Sequence, residues 1–391
     1  MVNNPFILYG YESEKYFCDR KEETQQLLKL LENGNNVALI APRRIGKTGL
    51  IENLFHQRNV QKNYYTFLID IYATKNIEEM IAVMGASMLS SLRPLGTKVM
   101  RKFTDVLSSL RSGISFDAMG NPSWNVEIGD IRLPKTTLDE IFQYINSADK
   151  PCLIAIDEFQ TVSTYPNGKV EALLRTYIQH CRNAHFIFSG SQRTMMGEMF
   201  LSPARPFYQS TSMMNLGSIP INKYCQFAQR HFDEADKTLP SEIFQTVYER
   251  FEGITWYVQR IMNELYAITL PHAVSTSELI DMAITNILRS NEFTYQSMLF
   301  QLPPKQKELL IALSKAGKAE AITSTKFIQR WHLSSASSVQ SAIKGLLDKN
   351  FVTSNLGIYE VYDRFFALWL TNKNNGDGLR KTVESVSPNF P

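Results

Sequence analysis

The chain has 391 residues, which at about 150 residues per domain predicts two or three domains and excludes a single small module. With 44% hydrophobic, 11% aromatic and 20% charged residues, it carries ample apolar material for packed cores and is unlike a disordered polymer. Lys and Arg number 41 against 38 Asp and Glu, a near balance that gives no global field for coating nucleic acid or an anionic membrane.

Cys18, Cys152, Cys181 and Cys225 are far apart and form no CxxC pair, so neither a zinc site nor a disulfide framework is expected. The N-terminus lacks a basic stretch followed by an apolar run, and no window approaches 18 uninterrupted apolar residues. A cytoplasmic protein with no membrane partner is expected.

An amphipathic helix over Glu22 to Leu31 is stopped at Asn33-Gly34-Asn35 and followed by the apolar run Val37-Ala38-Leu39-Ile40. After a polar turn, a helix runs from Gly46 to Phe55. The strand Tyr65 to Asp70 and a helix from Ile77 to Leu92 come next. Residues 93 to 136 are broken by Gly113, Gly120, Pro122, Gly129 and Pro134, with alternation that predicts an inserted β-hairpin over about 113–129. Helix Thr137 to Asn146, strand Cys152 to Ile156, helix Val170 to Cys181 and strand His185 to Phe188 then restore the rhythm of a parallel sheet covered on both faces. Tyr224 to Arg289 reads as helices. Beyond Leu302-Pro303-Pro304, three helices (Lys305 to Ala316, Ser324 to Trp331, Ala336 to Lys349) and two short β runs around Asn355-Leu356-Gly357 predict a winged helix-turn-helix.

Ala41-Pro42-Arg43-Arg44-Ile45-Gly46-Lys47-Thr48-Gly49 lies between a strand and a helix, where successive backbone N–H groups face an anion. Lys47 would bridge the β- and γ-phosphates of a nucleotide, and the Thr48 hydroxyl would ligate magnesium. Arg43 and Arg44 either contact nucleotide or are solvated or ion-paired. Asp157 and Glu158 follow the apolar strand that ends at Ile156, at the edge where open α/β sheets bind ligands. Asp157 would hold the metal; Glu158 would orient and deprotonate the attacking water. Ser189 and Ser191, in Ser189-Gly190-Ser191, are candidates for sensing the γ-phosphate, a plain strand-ending turn being the other reading. Arg20 either approaches the nucleotide or belongs to a helix-start charge cluster.

These motifs in this order, with Ile156-Asp157-Glu158-Phe159-Gln160 and a closing Tyr359-Glu360-Val361-Tyr362-Asp363-Arg364-Phe365-Phe366, resemble the archaeal and bacterial ATPase family of the AAA+ and STAND superclass, with origin-recognition initiators as more distant relatives. The resemblance runs to about residue 370. It implies an AAA+-like P-loop NTPase core with a parallel sheet, a helical lid and a C-terminal winged helix. The sequence departs from the family pattern at Asp19-Arg20 for Gly-Arg, at Ala41 for the loop's first Gly, and at Thr255 for a frequent Pro in Gly253-Ile254-Thr255-Trp256-Tyr257. Pro206-Phe207-Tyr208-Gln209-Ser210 lacks the arginine that relatives place there; Arg205 is a loose substitute, and Arg260 reaches either nucleotide or solvent.

The expected division is core 1–215, lid 216–300, winged helix 301–375 and a flexible tail 376–391. Residues 303 to 370 carry nine Lys or Arg against five Asp or Glu, and the third winged-helix helix, the expected recognition helix, offers with its lead-in Ser334, Ser335, Ser337, Ser338, Gln340, Ser341 and Lys344, a hydroxyl-rich face with few guanidiniums for guanine readout. The expected function is an ATP-binding, ATP-hydrolysing switch with magnesium, coupling nucleotide state to the winged helix as a regulatory or signalling ATPase. Its expected partners are ATP or ADP and an unidentified protein, with DNA through the winged helix and self-association left open. The alternatives are a DNA-binding ATPase of initiator, loader or transposition type, and a nucleotide-binding scaffold with negligible turnover.

Overall fold

The computed structural model describes residues 4–166, 168–355 and 357–374. Its strands are β1 (Val37–Ile40), β2 (Tyr65–Asp70), β3 (Ile114–Phe116), β4 (Pro122–Trp124), β5 (Cys152–Asp157), β6 (Ala184–Gly190), β7 (Ser212–Asn215), β8 (Val352–Asn355) and β9 (Ile358–Val361). The chain divides into two compact units: Met1–His231 with Gly253–Gln259, and Phe232–Glu252 with Arg260–Pro391. The expected tail 376–391 and Leu356 of the wing lie outside the described residues.

The first unit is built on a parallel sheet of order β2-β5-β6-β1-β7. β1 and β5 are buried at every residue, as strands covered by helices on both faces must be. Their side chains alternate between two cores. Ala38, Ile40, Ile154 and Ile156 join Phe67, Phe186 and Phe188 on one face, while Val37, Leu39, Leu153 and Ala155 join Leu27, Leu50 and Leu54 on the other. Because the sheet is parallel, the polar segments that follow β1, β5 and β6 all emerge at its carboxyl edge. β6 pairs with both β1 and β5, so its end lies between theirs.

The inserted hairpin is present but shorter than expected. Ile114 pairs with Trp124 and Phe116 with Pro122, and the turn is Asp117 to Asn121. Asp117 closes it, its carboxylate accepting from the backbone N–H of Met119 and Asn121. Pro122 is tolerated inside a strand because it sits in the outermost pair of a two-stranded ribbon. A helix, Thr97–Val106, precedes the hairpin. Its buried Met100 and Phe103 are spaced for one face, a signal overshadowed in the sequence by the surrounding Gly and Pro. β7, which has no apolar run to mark it in the sequence, is a short edge strand of mixed polarity.

In the second unit, helices Pro304–Ala316, Thr325–Arg330 and Ala336–Asp348 precede the antiparallel β8 and β9, the arrangement expected of a winged helix. Ser335 caps the third of these helices, accepting from the Ser338 N–H at 3.2 Å, so its hydroxyl is used locally. A further helix, Arg364–Asn374, follows the wing and buries Phe365, Phe366, Trp369 and Leu370. Among the described residues no helix is long and apolar enough to cross a membrane.

Candidate functional site

The loop after β1 bends into the helix Lys47–Phe55 through two residues in the left-handed region, Arg44 at φ 67° and Gly46 at φ 97°. Glycine meets that conformation at Gly46 without the cost a side chain imposes. The helix therefore begins with its free N–H groups at the sheet's carboxyl edge. Lys47 is buried, its ammonium donating to the carbonyls of Ala41 (3.2 Å) and Pro42 (3.3 Å). Burial pushes its pKa down; Glu158 and then Asp157 pull it back up, and Arg43 adds to the fall.

The Thr48 hydroxyl donates to Asp157 Oδ2 at 2.7 Å, joining the loop to the end of β5. Asp157 faces Asp70 across the β2–β5 pairing. Burial raises the Asp70 pKa, and Asp157 and Glu158 raise it further against the Tyr72 N–H. Glu158, also left-handed at φ 54°, takes hydrogen bonds on Oε2 from Ser191 Oγ at 2.7 Å and from Gln160 Nε2. Arg43 Nε donates to Ser191 Oγ at 3.2 Å, and its guanidinium lies 5.3 Å from the Tyr72 ring centre.

The two serines part company. β6 runs on to Gly190, two residues further than the sequence indicates, so Ser189 is fully buried opposite Leu39, its hydroxyl without a hydrogen-bond partner among the described residues. Ser191, the first residue past the strand, makes the contacts above.

Arg43, Arg44, Ile45, Gly46, Lys47, Thr48, Gly49 and Glu158 line one cleft of about 360 Å³. Its far wall is formed by residues that sequence reasoning did not assign: Ile7, Leu8, Tyr11, Tyr16 and Phe17 before the first helix, Ile219, and Thr255, Trp256 and Gln259. The aromatic run from Tyr9 to Phe17 was the available signal for the first of these. Arg44 stacks on Trp256 and Tyr257, 4.4 Å and 4.9 Å from their ring centres, and donates to the Tyr257 hydroxyl.

Trp256 N–H donates to the Arg44 carbonyl and Thr255 Oγ1 to the Ile45 carbonyl, each at 3.0 Å. Arg20 lines the same cleft and is also ion-paired at the start of its helix. It is buried, donating to the carbonyls of Ile45 (3.3 Å) and Gly217 (2.7 Å) while paired with Glu23. Arg205 is paired with Glu171 at 2.6 Å, and Arg260 with Glu264 and Asn263 in its own helix.

Thr48 and Asp157 present hard oxygens of the kind magnesium takes when phosphates complete its shell. The left-handed Gly46, the helix N-terminus behind it and the buried ammonium fit a phosphate group. The donor set therefore fits a magnesium nucleotide.

A family described as an ATPase domain predominantly from Archaea matches residues 17–261, and one described as a probable winged helix domain matches residues 293–372. Among solved structures, a Walker-type ATPase of Pyrococcus abyssi is 18% identical with a TM-score of 0.63, covering 94% of this chain and 99% of that one. The ORC1 protein of Aeropyrum pernix in complex with DNA is 11% identical with a TM-score of 0.52, covering 92% and 93%. The ORC2 protein of the same organism, in ADPNP-ADP complexes, is 13% identical with a TM-score of 0.53, covering 97% and 98%. At these identities the likeness is one of fold. No curated protein sequence matches the chain.

Proposed function

Because the chain belongs to the family of ATPase domains found predominantly in Archaea and carries a winged helix at its C-terminal end, we propose that it binds and hydrolyses ATP with magnesium and passes its nucleotide state to the winged helix. The observation that carries the reading is the convergence of Lys47, Thr48, Asp157 and Glu158 at one sheet edge, with Thr48 and Asp157 already hydrogen-bonded. In this reading Pro42 to Gly49 cradle the phosphates, Lys47 holds the β- and γ-phosphates, and Thr48 and Asp157 hold the metal. Magnesium, when bound, screens the phosphate oxygens and the charge that develops between them. Glu158 orients the attacking water and takes its proton; of the two serines, Ser191 is the one hydrogen-bonded to this carboxylate, while Ser189 is fully buried.

The segments 1–215, 216–300 and 301–375 act as core, lid and output module, and the product of the cycle is a change in what a partner protein meets. Support for coupling comes from the helix Thr255–Ile268. Its first residues hydrogen-bond to the phosphate loop through Arg44 and Ile45, while the residues after Gln259 belong to the other compact unit. DNA is the second reading for the output. It is favoured by the exposed Ser334, Ser337, Gln340, Ser341 and Lys344 around the helix Ala336–Asp348 and weakened by Lys344 being the one cation among them.

The test is ATP hydrolysis and equilibrium nucleotide binding by the wild type and Glu158→Gln, with and without duplex DNA. Binding by both, turnover by the wild type alone and indifference to DNA support the protein-coupled switch. Acceleration by DNA, lost steeply with salt, supports the second reading. Binding by both with turnover by neither leaves a nucleotide-gated scaffold and removes the enzyme.

A further inference from the structure

We propose that Gln160 and Ser191 are positioning residues for Glu158, and that Arg43 positions Ser191 in turn; the inference rests on the ATPase reading above. A carboxylate that is to receive a proton from water must be held with one oxygen toward that water. Here Glu158 Oε2 is occupied twice, by Ser191 Oγ at 2.7 Å and by Gln160 Nε2, which leaves Oε1 for the reacting molecule. The Ser191 hydroxyl has one proton, and the structure commits it to Glu158, while its lone pair takes Arg43 Nε at 3.2 Å. The hydroxyl is thus oriented from both sides.

Gln160 is oriented just as narrowly. It is 2% exposed, and its Oε1 has no hydrogen-bond partner among the described residues. A buried acceptor left unpaired is costly, yet the opposite orientation of the amide would set its oxygen against a carboxylate oxygen. The room it occupies is kept by Gly190: a Cβ there would stand 2.6 Å from Gln160 Oε1 and 2.4 Å from Met196 Sδ. Neither Gln160 nor Ser191 lines the cleft; in this arrangement both act through Glu158.

The experiment measures steady-state hydrolysis of magnesium ATP, and equilibrium affinities for ATP and ADP, on the full chain carrying Gln160→Met, Ser191→Ala or Ser191→Thr. Losing one hydrogen bond to the charged base is expected to lower kcat about tenfold in each of the first two. KM and both affinities stay within about twofold, and Ser191→Thr, which keeps the hydroxyl, restores most of the rate. Unchanged kcat in Gln160→Met and Ser191→Ala overturns the proposal. So does a loss that falls on ATP affinity but not on ADP affinity, which would make Ser191 a direct γ-phosphate contact. Should Gln160→Met unfold, the Ser191 pair decides alone. A wild type that binds nucleotide without turnover is a different failure: it removes the ATPase reading, and the proposal with it.

Discussion

Gly85, in the helix Ile77–Leu92, lies beneath the indole of Trp124, so Gly85→Ala sets two opposed effects against each other. A Cβ at position 85 would stand 2.0 Å from Trp124 Cη2, 2.4 Å from Cζ2 and 2.8 Å from Cζ3, whereas carbon atoms in contact rest at about 3.5–4.0 Å. The rigid ring must therefore retreat by about 1.5 Å, and since Trp124 is only half-buried it does so by leaving its seat. Giving up on the order of 100 Å² of apolar contact costs about 2.5 kcal/mol. Against this, alanine in a helix interior is better than glycine by about 1 kcal/mol. The clash wins, for a net loss of about 1–2 kcal/mol, or roughly 2–6 °C in the melting of a unit of this size. Scanning calorimetry of the full chain reads the shift. In a Trp124→Ala background the clash is gone and only the helix gain remains, so the same Gly85→Ala should there be neutral or stabilising. A substitution that stabilises the wild-type background, or that costs the same in both, would refute the packing of hairpin against helix.

Arg205→Ala tests whether that arginine is committed to structure. It strips the buried Glu171 of its partner, and a broken buried pair costs about 3 kcal/mol. Burial already raises the Glu171 pKa, with Arg205 opposing and Glu198 adding, so removing Arg205 raises it further. A group with a raised folded-state pKa contributes stability below its unfolded value and loses it as pH rises. The Arg205→Ala deficit is therefore expected in full in urea at pH 7.5 and to shrink toward pH 5; equal deficits at both would contradict the pairing. Trp256→Ala removes the stack on Arg44, worth about 1 kcal/mol in a partly desolvated setting, and is expected to weaken ATP binding about fivefold by titration calorimetry. An unchanged affinity would detach Trp256 from the phosphate loop.

How much of this was legible in the sequence follows from where each feature gets its information. The phosphate loop and Asp157-Glu158 announce themselves because each directly follows an uninterrupted apolar run, β1 or β5, and a fully buried parallel strand can end only in the polar segment at the sheet's edge. The far wall of the cleft has no such local signature. Tyr11 and Trp256 are 245 positions apart in the sequence, and nothing near either one states that both line one cleft. Arg20 reads either as a residue near the nucleotide or as one of a helix-start charge cluster with Lys21 and Glu22, and the carbonyls of Ile45 and Gly217 that it donates to show it buried.

Ser189 and Ser191 illustrate the finer limit. They are chemically identical and two residues apart, so along a strand they share a face. The choice between them rests on where β6 ends. Composition places that end at Phe188, but the pairing of Ile40 with Gly190 carries the strand two residues further, because β1 continues to offer a partner on one side. A ladder is extended by its neighbour and not by its own side chains, so the residue that reaches Glu158 could be fixed only once β1 and β6 were side by side.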